Sequence, residues 1–188
     1  MKFSTREMIL AALFAGLTII GAKVNLLLPE IPITLQPVVV MMAGSLLGRK
    51  TALLSQVVYV LLGLIGIPVF SKPLSGPAYI ITPSFGYLIG FVAAAYVIGL
   101  VIEKSTKKSI VTFMAANALG LICIYVIGVT YMYFLMNVYL NKPMTILNAI
   151  ALGVAPSIIK DVLMGFLISA LSANMYKRIN LQLRKSIG

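Results

Sequence analysis

Long apolar blocks dominate the chain, and prolines, glycines or charged residues separate one block from the next. Each block is close to the roughly 20 residues that an α-helix needs to cross the hydrocarbon core of a bilayer. The pattern therefore predicts an all-α, polytopic integral membrane protein with six transmembrane helices, in which residues 1–188 form a single domain. The predicted spans are Met8–Leu28, Ile31–Leu47, Ala52–Val69, Phe85–Ile102, Ile110–Met136 and Asn148–Tyr176.

The second block differs from the others because three prolines interrupt its beginning. Pro29, Pro32 and Pro37 leave only Val38–Leu47 as an unbroken apolar stretch. Proline lacks an N–H group and disrupts a helix, and irregular backbone is tolerated at membrane depth only where it lines a cavity or is buried in protein. We therefore expect the first part of this block to line a cavity.

The composition supports a membrane protein and excludes several kinds of chemistry. Hydrophobic residues make up 61% of the chain and charged residues 10%, against about 45–50% and about 25% in soluble domains. The chain has no histidine, and its one cysteine, Cys123, lies inside an apolar block. Zinc hydrolysis, histidine-based acid–base catalysis and haem ligation through histidine are excluded, and we expect no enzyme activity, metal or cofactor.

The net charge of +11 reflects orientation in the bilayer, because the basic residues flank apolar blocks and no nucleic-acid motif accompanies them. We expect no nucleic-acid partner. The positive-inside bias predicts a plasma-membrane protein with both termini in the cytoplasm. Three lysines, Lys23, Lys72 and Lys142, fall on the outer side, and Lys160 lies within a span. Eleven basic residues fall on the inner side: Lys2, Arg6, Arg49, Lys50, Lys104, Lys107, Lys108, Lys177, Arg178, Arg184 and Lys185.

Lys160 and Asp161 are charged residues inside the last apolar block. Each costs about 2.5–3.5 kcal/mol near the middle of a spanning helix, so such residues usually face a cavity or a partner. Adjacent residues point about 100° apart on a helix, so we expect no salt bridge between these two. Two interpretations stay open: Lys160 extends to the membrane surface while Asp161 pairs with another helix, or both belong to a ligand site.

Pro156 predicts that a helix begins at this point with free N–H groups. A helix N-terminus beside Lys160 would suit an anion such as a carboxylate. Ser157 and Lys160 share a helix face at i and i+3, which also allows a membrane hydrolase using serine and lysine for acyl transfer. No independent oxyanion element accompanies that pair.

The outer connection Ile67–Tyr87 contains four prolines, two glycines and four aromatic residues. Proline fixes turns and aromatic rings offer flat apolar faces, which predicts either a lid over a small ring-shaped ligand or a rigid packed loop with interfacial aromatics. The candidate ligand residues here are Phe70, Gly76, Tyr79, Ser84 and Tyr87.

The proline-rich segment before the second helix also contains a candidate ligand residue. Gln36, like Thr34 in the same proline-rich segment, would either serve a pocket or provide hydrogen bonds to backbone groups that the prolines leave unpaired.

In the first block, small residues recur at i and i+4, which lets another helix approach closely and predicts a docking face. These pairs are Ala11 with Ala15 and Ala12 with Gly16.

At these positions the chain resembles the BioY family, the biotin-specific S components of energy-coupling factor (ECF) transporters. The resemblance covers nearly the whole length, and its ordered segments are more specific together than any one alone. They are Pro32–Gln36, Ala43–Gly48, Tyr59–Phe70, Pro83–Phe91 and Lys160.

The resemblance implies six helices and a cavity near the extracellular side, covered by the first and third outer connections. It implies high-affinity capture of biotin outside and release inside. The implied partners are a transmembrane coupling protein, which docks on the first helix at an Ala-xxx-Ala type of face, and two ATP-binding-cassette ATPase subunits. The chain has no P-loop of its own, which agrees with energy supplied by other subunits.

Two positions depart from the family pattern. Ser157 stands where the family commonly has an acidic residue three before the lysine, and Phe85 stands where it often has glycine. Asp161 is the candidate replacement for the acidic group. An S component of the same fold for another small vitamin is therefore the alternative to a biotin protein, because few side chains set a pocket's specificity.

Overall fold

A computed structural model describes residues 3–26 and 31–185, with side chains at the C-terminal end described as far as Lys177. The regular secondary structure of the described residues is helical apart from two paired two-residue strands, which confirms the predicted all-α class. In chain order the helices are α1 (Thr5–Lys23), α2 (Gln36–Leu47), α3 (Arg49–Leu64), α4 (Phe85–Lys104), α5 (Ile110–Phe134), α6 (Ile146–Gly153) and α7 (Ala155–Lys185). A 3₁₀-helix spans Pro77–Ile81, and a π-helical turn, Leu135–Tyr139, continues α5.

Four of the described helical segments are long and apolar enough to cross a membrane: Thr5–Lys23, Phe85–Lys104, Ile110–Tyr139 and Ala155–Lys177. These segments make the chain a multi-pass membrane protein. By contrast, α2 has 12 residues and α3 has 16, fewer than the roughly 20 of a typical span. The count of six crossings therefore stays a prediction.

Helix α4 lies at the centre of the bundle and packs against α2, α3 and α5. Glycines let the backbones approach closely at two of these contacts. A Cβ atom added at Gly90 would lie 2.9 Å from Cα of Ile124 on α5, and one added at Gly99 would lie 2.4 Å from the backbone nitrogen of Arg49 on α3. Larger residues at these glycines would push the helices apart.

Two of the predicted spans differ in structure from a single long helix. The second block is irregular up to Leu35 and helical from Gln36, as its prolines predicted. The last block forms two helices, α6 and α7, with a break at Val154. The break falls next to Pro156, whose nitrogen cannot donate to the preceding turn.

The C-terminal end of α1 is joined to the two segments that follow α1 and α3. Gly21 accepts a hydrogen bond at 3.1 Å from the N–H of Leu35. The strands Asn25–Leu26 and Ile33–Thr34 pair antiparallel just beyond it. Lys23 Nζ donates to the carbonyl oxygen of Phe70 at 2.9 Å. One helix end thus holds both irregular segments in place.

The four small residues of α1 lie on different sides of the helix. Ala11 and Ala15 are buried, with 1% and 2% of their surface exposed, on a helix that packs against α3. In the chain alone their small side chains pack inside the bundle, and the docking face at these two residues stays a prediction. Ala12 is exposed, and a Cβ atom added at Gly16 would meet nothing within 4 Å.

Candidate functional site

A pocket lies where residues 31–37, the connection between α3 and α4, and helices α4 to α7 meet. About 480 Å³ between its walls is free of protein atoms, counting the open mouth. Seven of the nine predicted ligand residues line it: Gln36, Tyr79, Ser84, Tyr87, Ser157, Lys160 and Asp161. Residues that are far apart in the sequence therefore share one site.

Aromatic side chains form one wall of the pocket in two layers. Tyr79 and Tyr87 line the cavity, whereas Phe70 lies behind Tyr79, with ring centroids 4.1 Å apart and an interplanar angle of 36°. Phe70 also meets Tyr59 edge to face at 5.7 Å and is completely buried. Phe70 therefore supports the wall and is not one of the lining residues, contrary to the prediction.

Gly76 also lies outside the pocket lining, and its role is conformational. Its φ of +81° lies in the left-handed region that glycine adopts without steric cost. Its N–H donates to the carbonyl oxygen of Gly63 at 2.7 Å, and the 3₁₀-helix that carries Tyr79 begins at the next residue. The glycine therefore sets the direction from which Tyr79 enters the wall.

The hydroxyl of Tyr79 is held within the outer connection. Ser84 Oγ donates to it at 3.2 Å and is itself 3.3 Å from Thr82 Oγ1. Burial raises the pKa of Tyr79 above its ordinary value, and hydrogen bonds with Ser84 and Ser71 partly offset that shift. Tyr79 is therefore neutral at physiological pH and presents a fixed ring to the pocket.

Lys160 and Asp161 form an ion pair, with Nζ 2.6 Å from Oδ1. The expectation that these adjacent residues would not pair is wrong. The two Cα–Cβ bonds diverge, but the four-carbon lysine stem is long enough to bend around the helix. Asp161 is 1% exposed, and an unpaired carboxylate at that depth would be costly, which favours the bent lysine.

Each member of the pair has a further partner from another part of the fold. Tyr125 on α5 donates to Asp161 Oδ2 at 2.6 Å, and Lys160 Nζ donates to the carbonyl oxygen of Thr34. Asp161 Oδ1 has the ion-pair contact but accepts no hydrogen bond of regular geometry from the described residues. An acceptor oxygen and a neighbouring ammonium therefore lie side by side in the wall.

The start of α7 does not present the free N–H groups that were expected. The N–H groups of Ser157 and Ile158 both donate to the carbonyl oxygen of Val154, at 3.1 and 3.0 Å. Ser157 lines the pocket, but no hydrogen bond joins it to Lys160 within the described residues. A helix-terminus site for an anion is thus not formed by these two amides.

Two other predicted residues line the pocket while their polar atoms are bound to the protein. Gln36 accepts from Thr34 Oγ1 at 3.1 Å and donates to the hydroxyl of Tyr59 at 2.8 Å. Tyr87 donates its hydroxyl to the carbonyl oxygen of Gly153 at the end of α6, at 3.0 Å. Gln36 therefore stabilises the irregular segment, and Tyr87 offers mainly its ring.

Sequence reasoning did not identify Tyr125 as a site residue, although it completes the environment of Asp161. A tyrosine hydroxyl inside an apolar span needs a polar partner, and this was the available signal. The apolar lining was also not identified, because its members look like ordinary core residues. It includes Leu88, Phe91 and Ile124.

A multi-pass helical protein with a pocket of aromatic rings and one paired charge belongs to the class of membrane proteins that bind a small, partly apolar molecule. The BioY family model matches residues 1–181. The chain belongs to the BioY family.

Individual relatives agree with this assignment. A protein named "Probable biotin transporter BioY" from Lysinibacillus sphaericus is 40% identical over 174 residues, covering 93% of this chain and 88% of the relative. The biotin transporter BioY of Thermotoga maritima is 36% identical over 177 residues, covering 94% and 99%. A crystal structure of the S component for biotin from an ECF-type ABC transporter has the same fold, with a TM-score of 0.79, 24% identity and coverage of 94% and 95%.

Proposed function

We propose that this protein is the biotin-binding S component of an ECF-type transporter and captures biotin outside the cell for release inside. It acts as one integral membrane unit and performs no covalent chemistry. The observation that carries the proposal is the Lys160–Asp161 pair, held at 2.6 Å, in the same pocket as the rings of Tyr79 and Tyr87. Relatives named biotin transporters support the choice of ligand.

The chemistry of the pair favours the ureido group of biotin over its carboxylate. Lys160 and Asp161 together carry no net charge, so they present a donor and an acceptor side by side. The ureido group has the matching arrangement, because its carbonyl oxygen accepts and its N–H groups donate. The fused rings then lie against Tyr79 and Tyr87, and the anionic valerate chain points towards the mouth.

Binding of biotin analogues to purified protein tests both the function and the orientation. We expect saturable, high-affinity biotin binding by isothermal titration of monodisperse protein in detergent. Biotin methyl ester, which lacks the free carboxylate, retains most of the affinity. Protonated 2-iminobiotin, which places a cation beside Lys160, binds much more weakly.

Two outcomes contradict the proposal at different levels. Folded protein that binds no biotin but binds another vitamin shows that this is an S component for a different ligand. Protein that binds biotin but loses more affinity with the methyl ester than with 2-iminobiotin has its carboxylate at the pair, and only the orientation is then wrong.

We further propose that a transmembrane coupling protein, driven by two ATP-binding-cassette ATPases, docks on the exposed side of α1. Ala12 and Gly16 lie on this side, and among the described residues no side chain covers Gly16. Small residues at i and i+4 allow close helix approach. Ala11 and Ala15 contribute indirectly, because they set how α1 packs on the bundle.

For the membrane arrangement we propose six crossings, in which the short helices α2 and α3 complete the bundle and both termini face the cytoplasm. The irregular backbone before α2 lines the pocket, so α2 does not need to reach the membrane surface at that end. Single cysteines replacing Lys72 and Lys107, in a Cys123→Ala background, are expected to react with impermeant reagents from opposite sides of the cell membrane. Reaction from the same side contradicts this topology.

The serine–lysine hydrolase receives no support from the site. The ammonium of Lys160 is bound to Asp161 and to the carbonyl oxygen of Thr34, so it is not positioned to deprotonate Ser157.

A further inference from the structure

A second cavity opens between the N-terminal end of α5 and the later part of α7, among residues that the biotin pocket does not use. About 930 Å³ there is free of protein atoms, counting the open side. Its rim carries Lys107, Lys108 and Lys177, and its walls include Ile110 and Ala173. The lysines lie at or just beyond the ends of two apolar spans, Ile110–Tyr139 and Ala155–Lys177. The cavity therefore lies where these helices leave the membrane.

The three lysines of this rim are used differently. Lys108 Nζ donates to carbonyl oxygens at the end of α4, at 2.8 Å for Ser105 and also to Ile102. Lys107 and Lys177 are exposed, and their ammonium groups form no hydrogen bond or ion pair with any residue that the structure describes. Two cations at the rim therefore lack a partner within the described chain.

The acidic residues of the described chain are all engaged elsewhere. Glu7 accepts hydrogen bonds from Ser4 in the capping box of α1. Glu103 is paired with Arg49 at 3.1 Å, and Asp161 is paired within the biotin pocket. The fourth acid, Glu30, lies outside the described residues. An anion that neutralises Lys107 and Lys177 must therefore come from outside the part of the protein that is described.

An apolar cleft lies one helical turn further along the same two helices. It contains Ala118 and Leu121 of α5 and Val162, Gly165 and Phe166 of α7. From Ile110 at the rim to Leu121 the helix rises about 16 Å. One leaflet of the hydrocarbon core is about 15 Å thick, half of the usual core. The cavity and the cleft together therefore reach about as deep as one leaflet.

We infer that the cavity and the cleft together bind a phospholipid with an anionic headgroup. The phosphate lies between Lys107 and Lys177, and one acyl chain follows the cleft past Ala118 and Gly165. Basic pockets between membrane helices are suited to anionic headgroups. The combination of a cationic rim and an apolar cleft favours a lipid over free phosphate, because inorganic phosphate has no apolar part that could bind in the cleft.

Lipid retention in native mass spectrometry tests the charged part of the site. Delipidated, full-length protein is mixed with phosphatidylglycerol or with phosphatidylcholine, and bound lipid is counted as the detergent is removed. We expect preferential retention of phosphatidylglycerol, and a loss of about 30-fold in its affinity in the variant Lys107→Gln/Lys177→Gln, as expected for two lysine contacts. The control Arg6→Gln/Lys50→Gln removes the same charge from exposed positions on other helices and is expected to retain the lipid.

Two matched alanines test the apolar part. Ala118→Phe fills the cleft and is expected to displace phosphatidylglycerol, whereas Ala115→Phe, also exposed on α5 but outside the cleft, is expected to have no effect. Biotin affinity serves as the folding control and stays unchanged in all variants. Equal retention by both lysine variants, or by both alanine variants, overturns the proposal. Complete competition by millimolar inorganic phosphate also overturns it, because the site then binds the phosphate ion alone.

Discussion

Two lysines of α7, Lys160 and Lys177, differ in whether the protein provides a partner for their charge. Near its start, Lys160 lies 2.6 Å from Asp161, in a pocket whose walls come from distant parts of the chain. Near its far end, Lys177 is exposed beside Lys107, and no acid of the described chain reaches either of them. The charge of Lys160 is therefore neutralised by a carboxylate of the protein, whereas that of Lys177 has no partner in the described chain.

This difference follows from the cost of a charge at each depth. Inside the bundle, the carboxylate of Asp161 is buried away from water and lipid headgroups, so it needs a counter-charge from the fold itself. At the membrane surface, water and anionic headgroups are available, and an internal partner adds little. An internal partner is therefore expected for a lysine in the candidate pocket, and a lysine without one is expected where the chain meets water or lipid headgroups.

The largest effect is expected from Lys160→Met, which leaves the buried carboxylate of Asp161 without its counter-charge. Removing one partner of a fully buried pair costs about 3–5 kcal/mol, and we expect the lower end of this range because the Lys160 side chain is 27% exposed. The change is read from thermal or denaturant unfolding in detergent. The double variant Lys160→Met/Asp161→Asn removes both charges and is expected to recover most of the loss. If the double variant is no more stable than the single one, the pair does not carry the energy assigned to it.

Biotin binding by that double variant separates folding from recognition. The variant lacks the charged donor and acceptor, so we expect affinity to fall by about 1.5–3 kcal/mol, the scale of a hydrogen bond to a charged group. This is a roughly 10- to 150-fold rise in Kd by isothermal titration. Lys142→Met is the control outside the pocket. An unchanged Kd would mean that the pair is structural only.

The two faces of α1 provide a test of similar or smaller size. Ala11→Leu inserts methyl groups into a packed contact and is expected to lower the free energy of unfolding by about 1–3 kcal/mol. Ala12→Leu, on the exposed face, is expected to leave stability and biotin binding unchanged while it weakens association with the coupling protein. Normal association of the Ala12→Leu variant in a pull-down would place the docking face elsewhere.

The smallest effect is expected from Lys23→Met, which removes the hydrogen bond to the carbonyl oxygen of Phe70. Loss of that bond costs about 0.5–1.5 kcal/mol and loosens the segment that supports Tyr79. We expect biotin to dissociate a few times faster, as measured by chase with unlabelled ligand, and the free energy of unfolding to fall by no more than that cost. Lys50→Met is the matched control, and equal dissociation rates in the two variants would remove Lys23 from the support of the pocket.

Sequence reasoning located most of the site and misjudged how its members are arranged. The isolated polarity of Lys160 and Asp161 in an apolar block was visible without coordinates, and so was the proline-rich entry to α2. The ion pair was not, because helical spacing describes the direction of Cβ and not the reach of a long side chain. Phe70 and Gly76 were placed in the pocket because they share a loop with Tyr79, yet that loop folds into two layers.

The amino-acid sequence alone is enough to assign an all-α membrane protein of the BioY family, to locate its apolar blocks, and to find the charged residues inside them. These properties depend on composition and on the order of nearby residues, both of which can be read without knowing the fold. Three features became visible only in the folded chain: which side of α1 is buried, which aromatic rings line the pocket, and which lysine has an internal partner. Those depend on contacts between residues far apart in the chain, such as Lys160 with Thr34 and Tyr125 with Asp161.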